Sequence, residues 1–514
     1  MNSPLATTPV FTQDRKKTIS VLTLAFIAGA LTVCGFAPFH VYVIPFFSLA
    51  ILFQLWRHAP TTRVAFLTGW YFGFGFFLLG VSWIYVSLHT FGSMPAPLAG
   101  LATVLFCAFL ALFPAVAGFL VAWRRPSPII LFTLTAPALW TVLEWMRSWV
   151  FTGFPWLSLG YSQVSESPLA GLAPVGGVFL VSLLLCLSAG LIALAWEKKS
   201  QAIYPLALLM GLLFISWNLK SIQWTQPTGT VTTVSLLQGN RLQDEKWRPE
   251  NLITTLKLYR DMVLQSHSQL IVMPETALPV FLHQLPPGYI EQLAEHAQHQ
   301  QGAVLVGTVE QTGAGVYFNS LVALGASSRP AYRKTHLVPF GEYIPLRPLW
   351  GWIVGLLAIP LQDMSRGASN AQPLFIAGQW VALNICYEDA FGDEIRRQLP
   401  LATVLINASN VAWFGHSIAP QQHLQISQMR ALETGRFMLR ATNTGLTAII
   451  NNQGQVVSAA PEFTTTRLTG SVPGFKGVTP FVRWGDQLPI LISIFLWLSG
   501  FLLHRYAHRP TSPL

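Results

Sequence analysis

Apolar positions along this chain follow two regimes. Up to about residue 225 they form long, nearly unbroken runs, and between 226 and 482 they shorten to strand length and are set among polar and turn residues. A membrane-spanning helix needs about 20 mostly apolar residues. Runs near 18–36, 38–56, 64–86, 98–123, 128–146, 171–195 and 203–219 reach or approach that length, and an eighth lies near 487–504. Pro45 and Pro137 interrupt the second and fifth runs, which membrane helices tolerate when neighbours satisfy the freed carbonyl. In the middle region, short apolar runs predict strands at 232–237, 270–273, 303–309, 318–323, 380–385, 403–406 and 447–450. Amphipathic stretches predict helices at 249–266, 289–300 and 420–434, with a shorter one at 391–399. Asn451-Asn452-Gln453-Gly454 is a hairpin-turn signal. There is no internal repeat or low-complexity tract.

This pattern divides the chain into three parts. Residues 1–225 form a multi-pass membrane domain of about seven helices, 226–482 an α/β domain, and 483–514 a last helix and tail. One run breaks the scheme. Residues 350–360 are strongly apolar but too short to span, and fit either a core segment or a lid that touches the bilayer.

Composition agrees. The chain is 52% hydrophobic and 10% charged, against roughly 25% charged in soluble domains. Four acidic residues precede position 228 and sixteen lie between 228 and 480, which marks the middle region as water-facing. The net charge of +10 reflects Lys and Arg gathered on one side of a membrane rather than nucleic-acid binding. Arg15, Lys16, Lys17, Arg57, Arg63, Arg124, Arg125, Lys198, Lys199, Arg505 and Arg509 all fall on the same side of the predicted crossings, whereas the 87–97 loop has neither Lys nor Arg. That side is cytoplasmic, so the α/β domain lies outside. The first apolar run reads as an uncleaved anchor.

Of the four cysteines, Cys34, Cys107 and Cys186 lie inside apolar runs, so no disulfide framework is expected. Cys386 differs. It follows the 380–385 strand and precedes the 391–399 helix, a sharp turn that holds a side chain rigidly within reach of substrate. Two other polar residues end apolar runs: Glu275, after Leu270-Ile271-Val272-Met273-Pro274, and Lys334. A carboxylate can take a thiol proton and return it to a leaving group. An ammonium can stabilise a thiolate and an oxyanion. Together they would support acyl transfer through a thioester. Singly, each has an ordinary reading as a buried thiol or a solvated charge, and spacing alone leaves both open. Glu144 and Arg147, one helical turn apart, read as a structural pair ahead of a headgroup site. His336, His416 and His423 lack metal-ligand spacing, so no metal and no cofactor are expected.

Longer motifs narrow the reading. Pro274-Glu275, the run Tyr332-Arg333-Lys334-Thr335-His336-Leu337-Val338-Pro339-Phe340-Gly341-Glu342, and Cys386-Tyr387-Glu388 resemble the Glu-Lys-Cys signatures of the nitrilase superfamily. The resemblance implies an α-β-β-α sandwich and thioester chemistry. Its placement between seven helices and one helix is similar to the apolipoprotein N-acyltransferases, as are Gly153-Phe154-Pro155-Trp156, Gln238-Gly239-Asn240, Lys246-Trp247, Ala412-Trp413-Phe414-Gly415, Gln422-His423 and Asn443-Thr444-Gly445. One departure is Val411, where that family commonly carries Asp. The resemblance implies catalytic Glu275, Lys334 and Cys386, with Glu342, Tyr387, Glu388, Trp247 and Trp413 supporting or contacting substrate. It also implies a phospholipid acyl donor, phosphatidylethanolamine foremost, and a diacylglyceryl apolipoprotein acceptor. The setting it implies is the bacterial inner membrane, with the catalytic domain periplasmic, and a monomer is the default expectation. Two rivals were weighed. A membrane-anchored nitrilase-type amidase would need only one anchor. A transporter would need ionisable residues along its helices, which hold almost none, or an inverted repeat, which is absent.

Overall fold

The computed structural model describes residues 10–325, 329–344 and 363–507. The 350–360 run lies outside the described residues.

Among the described residues, six helices are long and apolar enough to cross a membrane. They are Lys16–Gly35, Thr62–Gly80, Ala96–Arg124, Pro128–Arg147, Pro168–Glu197 and Gln487–Tyr506. Two predicted spans are shorter. The 38–56 run forms a helix only over Ile44–Arg57, because residues 36–43 close into tight turns in which Phe39 and His40 both bond back to the Phe36 carbonyl. Pro45 therefore does not interrupt the helix. It sits in its first turn, where a missing N–H costs nothing. The 203–219 run is a 17-residue helix, Ile203–Leu219. The predicted 98–123 segment divides at Ala111 into Ala96–Leu110 and Leu112–Arg124.

The strands build two sheets. The first contains β1 (Gln226–Gln238), β2 (Leu270–Val272), β3 (Leu278–Phe281), β4 (Ala303–Gly313), β5 (Val316–Leu324), β6 (Ala331–Arg333) and the late strand β13 (Thr466–Lys476). Its order is β13-β1-β2-β4-β5-β6, with β3 beside β4. The second contains β7 (Leu374–Ile376), β8 (Gln379–Ile385), β9 (Val404–Ser409), β10 (Phe437–Thr442), β11 (Ala448–Ile450) and β12 (Val456–Ala459), in the order β12-β11-β10-β9-β8-β7. Parallel pairing runs through β1-β2-β4 and through β8-β9-β10.

The sheets pack face to face. Val272 and Leu305 of the first meet Leu383 and Ile406 of the second in one buried cluster. The outer face of the first sheet is covered by helices Pro249–Leu264 and Tyr289–His299, through Tyr259, Leu293 and Ile271. Helix Ala419–Thr434 and the short Pro480–Trp484 turn cover the second, through Ala431, Val482 and Leu405. The result is the expected four-layer α-β-β-α sandwich, with near-continuous apolar runs where parallel strands are covered on both faces.

Helix Ala419–Thr434 also faces the membrane helices. Its Ile426 and Met429 belong to the same cluster as Trp83, Trp156 and Val178. The Gln422 amide is bound on both ends. Its Oε1 accepts from Trp156 Nε1 at 2.7 Å and Trp83 Nε1 at 3.2 Å, and its Nε2 donates to the Gly80 carbonyl at 3.1 Å. Sandwich and helices are thus joined by buried polar contacts whose register cannot slide without leaving donors unsatisfied.

Candidate active site

Parallel strands deliver side chains at their carboxyl ends, and here both sheets do so at one place. Glu275 follows β2, Cys386 follows β8, and Asn410 follows β9. Lys334 comes one residue after β6. The structure brings the predicted Glu275, Lys334 and Cys386 together and adds Glu342 to the same cluster.

Lys334 is the hub. Its Nζ lies 3.4 Å from Glu275 Oε1 and 2.9 Å from Glu342 Oε2. Asn319 on β5 donates its Nδ2 to both carboxylates, at 2.7 Å to Glu275 and 3.0 Å to Glu342. The Asn410 N–H donates to the other Glu275 oxygen at 2.8 Å. Burial pushes the Glu275 carboxyl up, but Lys334, Asn319 and Asn410 outweigh it, and the group is held below the usual carboxylate range. Burial likewise opposes charge on Lys334, and Glu342 and Glu275 overcome it, holding the ammonium well above the usual lysine range.

Cys386 has φ of +54°, a left-handed conformation that costs a non-glycine residue of order 1–3 kcal/mol. Its neighbours hold it there. The Cys386 carbonyl accepts from Asn407 Nδ2 at 3.0 Å, and His423 Nε2 lies 3.2 Å away. Behind them, Asp389 contacts His423 at 2.7 Å and Arg440 at 3.2 Å. Burial pushes the thiol well above its usual range and Glu275 adds to this, while Lys334 pulls the other way. The resting pair is therefore thiol and carboxylate. A carboxylate close to a protonated thiol is the arrangement that general-base chemistry requires.

Glu388 links the two loops. Its Oε1 accepts the N–H of Thr335 and His336, and its Oε2 accepts that of Ile385. Tyr387 donates its hydroxyl to the Gly153 carbonyl at 3.2 Å and stacks on Trp156, so it joins the nucleophile turn to the membrane helices. Trp413 and Trp247 are further out and exposed. Trp413 is tied to the membrane side by Ser87, which donates to its carbonyl. Glu144 and Arg147 form a buried pair at 3.8 Å, with Arg147 also donating to the Trp156 carbonyl, which is the structural role expected of them. A cavity of about 880 Å³ lies behind the two loops, lined by Thr335, Glu388 and Asn384 together with Trp149, Phe391 and Leu491. Glu275, Lys334 and Cys386 do not line it.

Sequence reasoning missed Asn319, Asn410 and the Asp389–His423–Arg440 group. Of these, only His423 carried a signal, as part of the Gln422-His423 motif. Asn319 and Arg440 sit inside strands, where polar residues look like interruptions.

Residues 233–473 match the carbon-nitrogen hydrolase family, the class whose fold this sandwich has. Residues 28–191 match the apolipoprotein N-acyltransferase N-terminal domain. The chain is 51% identical over 491 residues to an apolipoprotein N-acyltransferase of Nitrosomonas europaea, covering 95% of this chain and 99% of that one. It is 43% identical over 496 residues to the enzyme so named in Chromobacterium violaceum, covering 96% and 94%. It is 40% identical over 485 residues to that of Coxiella burnetii, covering 93% and 99%. The chain belongs to the apolipoprotein N-acyltransferase family, and it is an acyltransferase built on a carbon-nitrogen hydrolase fold with apolar helices on either side.

Proposed function

We propose that this protein moves an acyl chain from a membrane phospholipid to the N-terminal amine of a lipid-modified cysteine on an apolipoprotein, through a thioester on Cys386. The observation that carries the reading is the meeting of Cys386, Glu275 and Lys334 beside helix Ala419–Thr434, which packs on the membrane helices.

In the first half-reaction Cys386 Sγ bonds to the ester carbonyl carbon as its proton passes to Glu275. The carbonyl oxygen becomes an oxyanion beside Lys334. The carbon–oxygen bond to glycerol then breaks, Glu275 returns the proton to that oxygen, and lysophospholipid leaves. In the second half the acceptor amine attacks the thioester and gives a proton to Glu275. The carbon–sulfur bond breaks and the thiol regains its proton. Ester to amide is downhill, so no nucleotide is consumed. Glu342 holds Lys334, Glu388 holds the two loops in register, Tyr387 shapes the pocket, and Trp247 and Trp413 contact lipid or peptide at its mouth.

The donor is phosphatidylethanolamine, a monomer suffices, and the units are residues 1–225, 226–482 and 483–514. Arg57, Arg124, Lys198 and Arg505 lie at helix ends on one side. This supports a cytoplasmic side there and a periplasmic α/β domain, in the inner membrane of a bacterium.

The test is intact-protein mass spectrometry after incubation with phosphatidylethanolamine and no acceptor. An acyl-sized mass increase is expected, removed by hydroxylamine and absent in Cys386→Ala. Wild-type protein that alkylates at Cys386 but never gains the adduct would overturn the reading.

A further inference from the structure

Two lysines are buried at this site, and only one has a task so far. Lys334 is saturated by two carboxylates. Lys246 is 3% exposed. It lies between β1 and helix Pro249–Leu264, and its Nζ donates to Thr276 Oγ1 and, at 3.3 Å, to the Glu275 carbonyl. Among the described residues no carboxylate lies within ion-pair distance of it. A buried ammonium with only neutral acceptors is costly, so its charge has to be answered by the carboxylates of the neighbouring cluster, Glu275 first.

The loop that carries Lys246 is anchored to the same residues that hold Glu275. Asn410 binds Glu275 through its N–H at 2.8 Å and Gln243 through its side chain at 2.7 Å. Asn443 accepts the Arg241 N–H at 3.0 Å and donates to the Asn410 side chain at 3.1 Å. Thr276, whose hydroxyl Lys246 grips, has φ of +46°, so the turn next to Glu275 is strained and needs an external tie.

Charge counting points the same way. Glu275 and Glu342 against Lys334 leave one net negative charge. Adding Lys246 brings the cluster to zero. When Cys386 attacks an ester, Glu275 becomes neutral and the ester oxygen takes up its charge. The sum is unchanged, and the oxyanion forms in a neutral site only while Lys246 stays charged.

We propose that Lys246 is a positioning and charge-balancing residue for acyl transfer, which fixes the Glu275–Thr276 turn and neutralises the cluster while the ester oxygen becomes anionic. This rests on the thioester reading above. The charged or titratable groups facing Lys246 are Glu275 from the β2 end and Cys386 from the β8 end. Asp244, Glu245 and Arg248 on its own loop form no ion pair with it. Burial pushes Lys246 down to about 8, against the pull of Glu275 and Cys386, so its charge is lost within an accessible pH range.

The test measures initial rates of thioester formation on phosphatidylethanolamine by intact-protein mass spectrometry from pH 6 to 10, for wild type, Lys246→Arg and Lys246→Met. Wild type should lose rate above about pH 8. Lys246→Arg, whose guanidinium does not titrate there, should keep a rate within about tenfold at pH 7 and carry that loss at least one pH unit higher. Lys246→Met should fall about 100-fold at pH 7 with unchanged half-saturation by donor. A Lys246→Met rate within twofold of wild type, or an alkaline limb in Lys246→Arg that coincides with wild type, would overturn the proposal. Iodoacetamide alkylation of Cys386 separates this from failure of the thioester reading, because it needs no lipid. At pH 7, where Lys246 is charged, Lys246→Met should slow alkylation about tenfold by lowering the thiolate fraction, with the difference fading above about pH 9, and equal rates at pH 7 would overturn the proposal even if wild type forms no thioester. If Lys246→Met fails to fold, the Lys246→Arg profile decides.

Discussion

Glu388 Oε1 accepts the backbone N–H of Thr335, the residue after Lys334, at 2.6 Å. The other oxygen accepts the N–H of Ile385, the residue before Cys386, also at 2.6 Å. One carboxylate therefore sets the spacing between the loop that carries the ammonium and the turn that carries the thiol. Tyr332 adds its hydroxyl at 2.9 Å, so the brace also reaches back into β6.

Glu388→Ala should damage stability and rate together. It leaves three backbone N–H groups unanswered, that of Ile385 buried and those of Thr335 and His336 half-buried, which costs about 2 kcal/mol or more. Displacement of Lys334 from Cys386 by about 1 Å should lower thioester formation about 100-fold. Thermal unfolding in detergent and the single-turnover acylation rate measure the two effects. A folded variant that acylates at the wild-type rate would show that the brace does not set the geometry.

Much of this arrangement was legible in the sequence where the chain obeys periodicity. The seven predicted strands all fall on or overlap observed ones, because strands covered on both faces, the parallel β1, β2, β4, β8 and β9 and the antiparallel β5 and β11 alike, read as short apolar runs. What escaped were four strands of only three or four residues, β3, β6, β7 and β12, and two longer ones with polar residues in them. Strand β10 was missed since Arg440 stands at its centre, and that guanidinium is fully buried because Asn407 and Asp389 answer it. Strand β13 was missed because it is a half-buried edge strand whose apolar residues are interrupted by Thr, Ser, Gly and Pro. Lys334, Glu275 and Cys386 could be singled out only because each ends a strand and the surrounding motifs are long. Asn319, equally close to the chemistry, gave no sign, since an asparagine inside a strand has no distinctive neighbours. The break at Gly176–Gly177 was hidden inside a continuous apolar run.

Asn319→Leu should move the acid limb of the reaction. Asn319, Lys334 and Asn410 together hold the Glu275 carboxyl below its usual range. Without the Asn319 amide the folded-state value rises, so the carboxylate protonates at higher pH and stops acting as a base. The acylation rate at pH 5.5 should fall at least tenfold more than the rate at pH 8. A uniform loss at both pH values would mean that Asn319 acts on packing alone.

Stability should fall as pH rises through the slightly acidic range. Burial pushes the Glu433 carboxyl up to about 7 despite Arg430, and Asp486 rises to about 7 through burial and the nearby Asp393. An acid whose folded value exceeds its unfolded value binds its proton more tightly in the native state. Its contribution is greatest below the unfolded value near 4 and declines until the pH passes about 7. The Tm in detergent should be higher at pH 5.5 than at pH 8. Glu433→Gln, which keeps an acceptor for Val178, should remove about half of that difference. An equally steep profile in the variant would place the effect elsewhere.

Gly177→Ala tests the join between membrane helices and sandwich. Helix Ala173–Glu197 is broken at Gly176–Gly177, where Gly177 has φ of +68° and ψ of −169°. The break frees the Val178 N–H, and Glu433 of helix Ala419–Thr434 accepts it at 2.7 Å. A Cβ on Gly177 would lie 2.5 Å from the Phe481 ring and 3.1 Å from Glu433 Oε1. Both the backbone conformation and the contact oppose a side chain, so the substitution should cost about 2 kcal/mol or more. Gly211, which has open space around its Cβ position in helix Ile203–Leu219, is the control, and its replacement by Ala should not lower Tm. Because helix Ala419–Thr434 also presents His423 to the Cys386 carbonyl, the Gly177 variant should lose acylation rate beyond what its lowered stability explains at a temperature where it remains folded. If it unfolds early yet acylates normally when folded, the broken helix secures the join without governing the nucleophile.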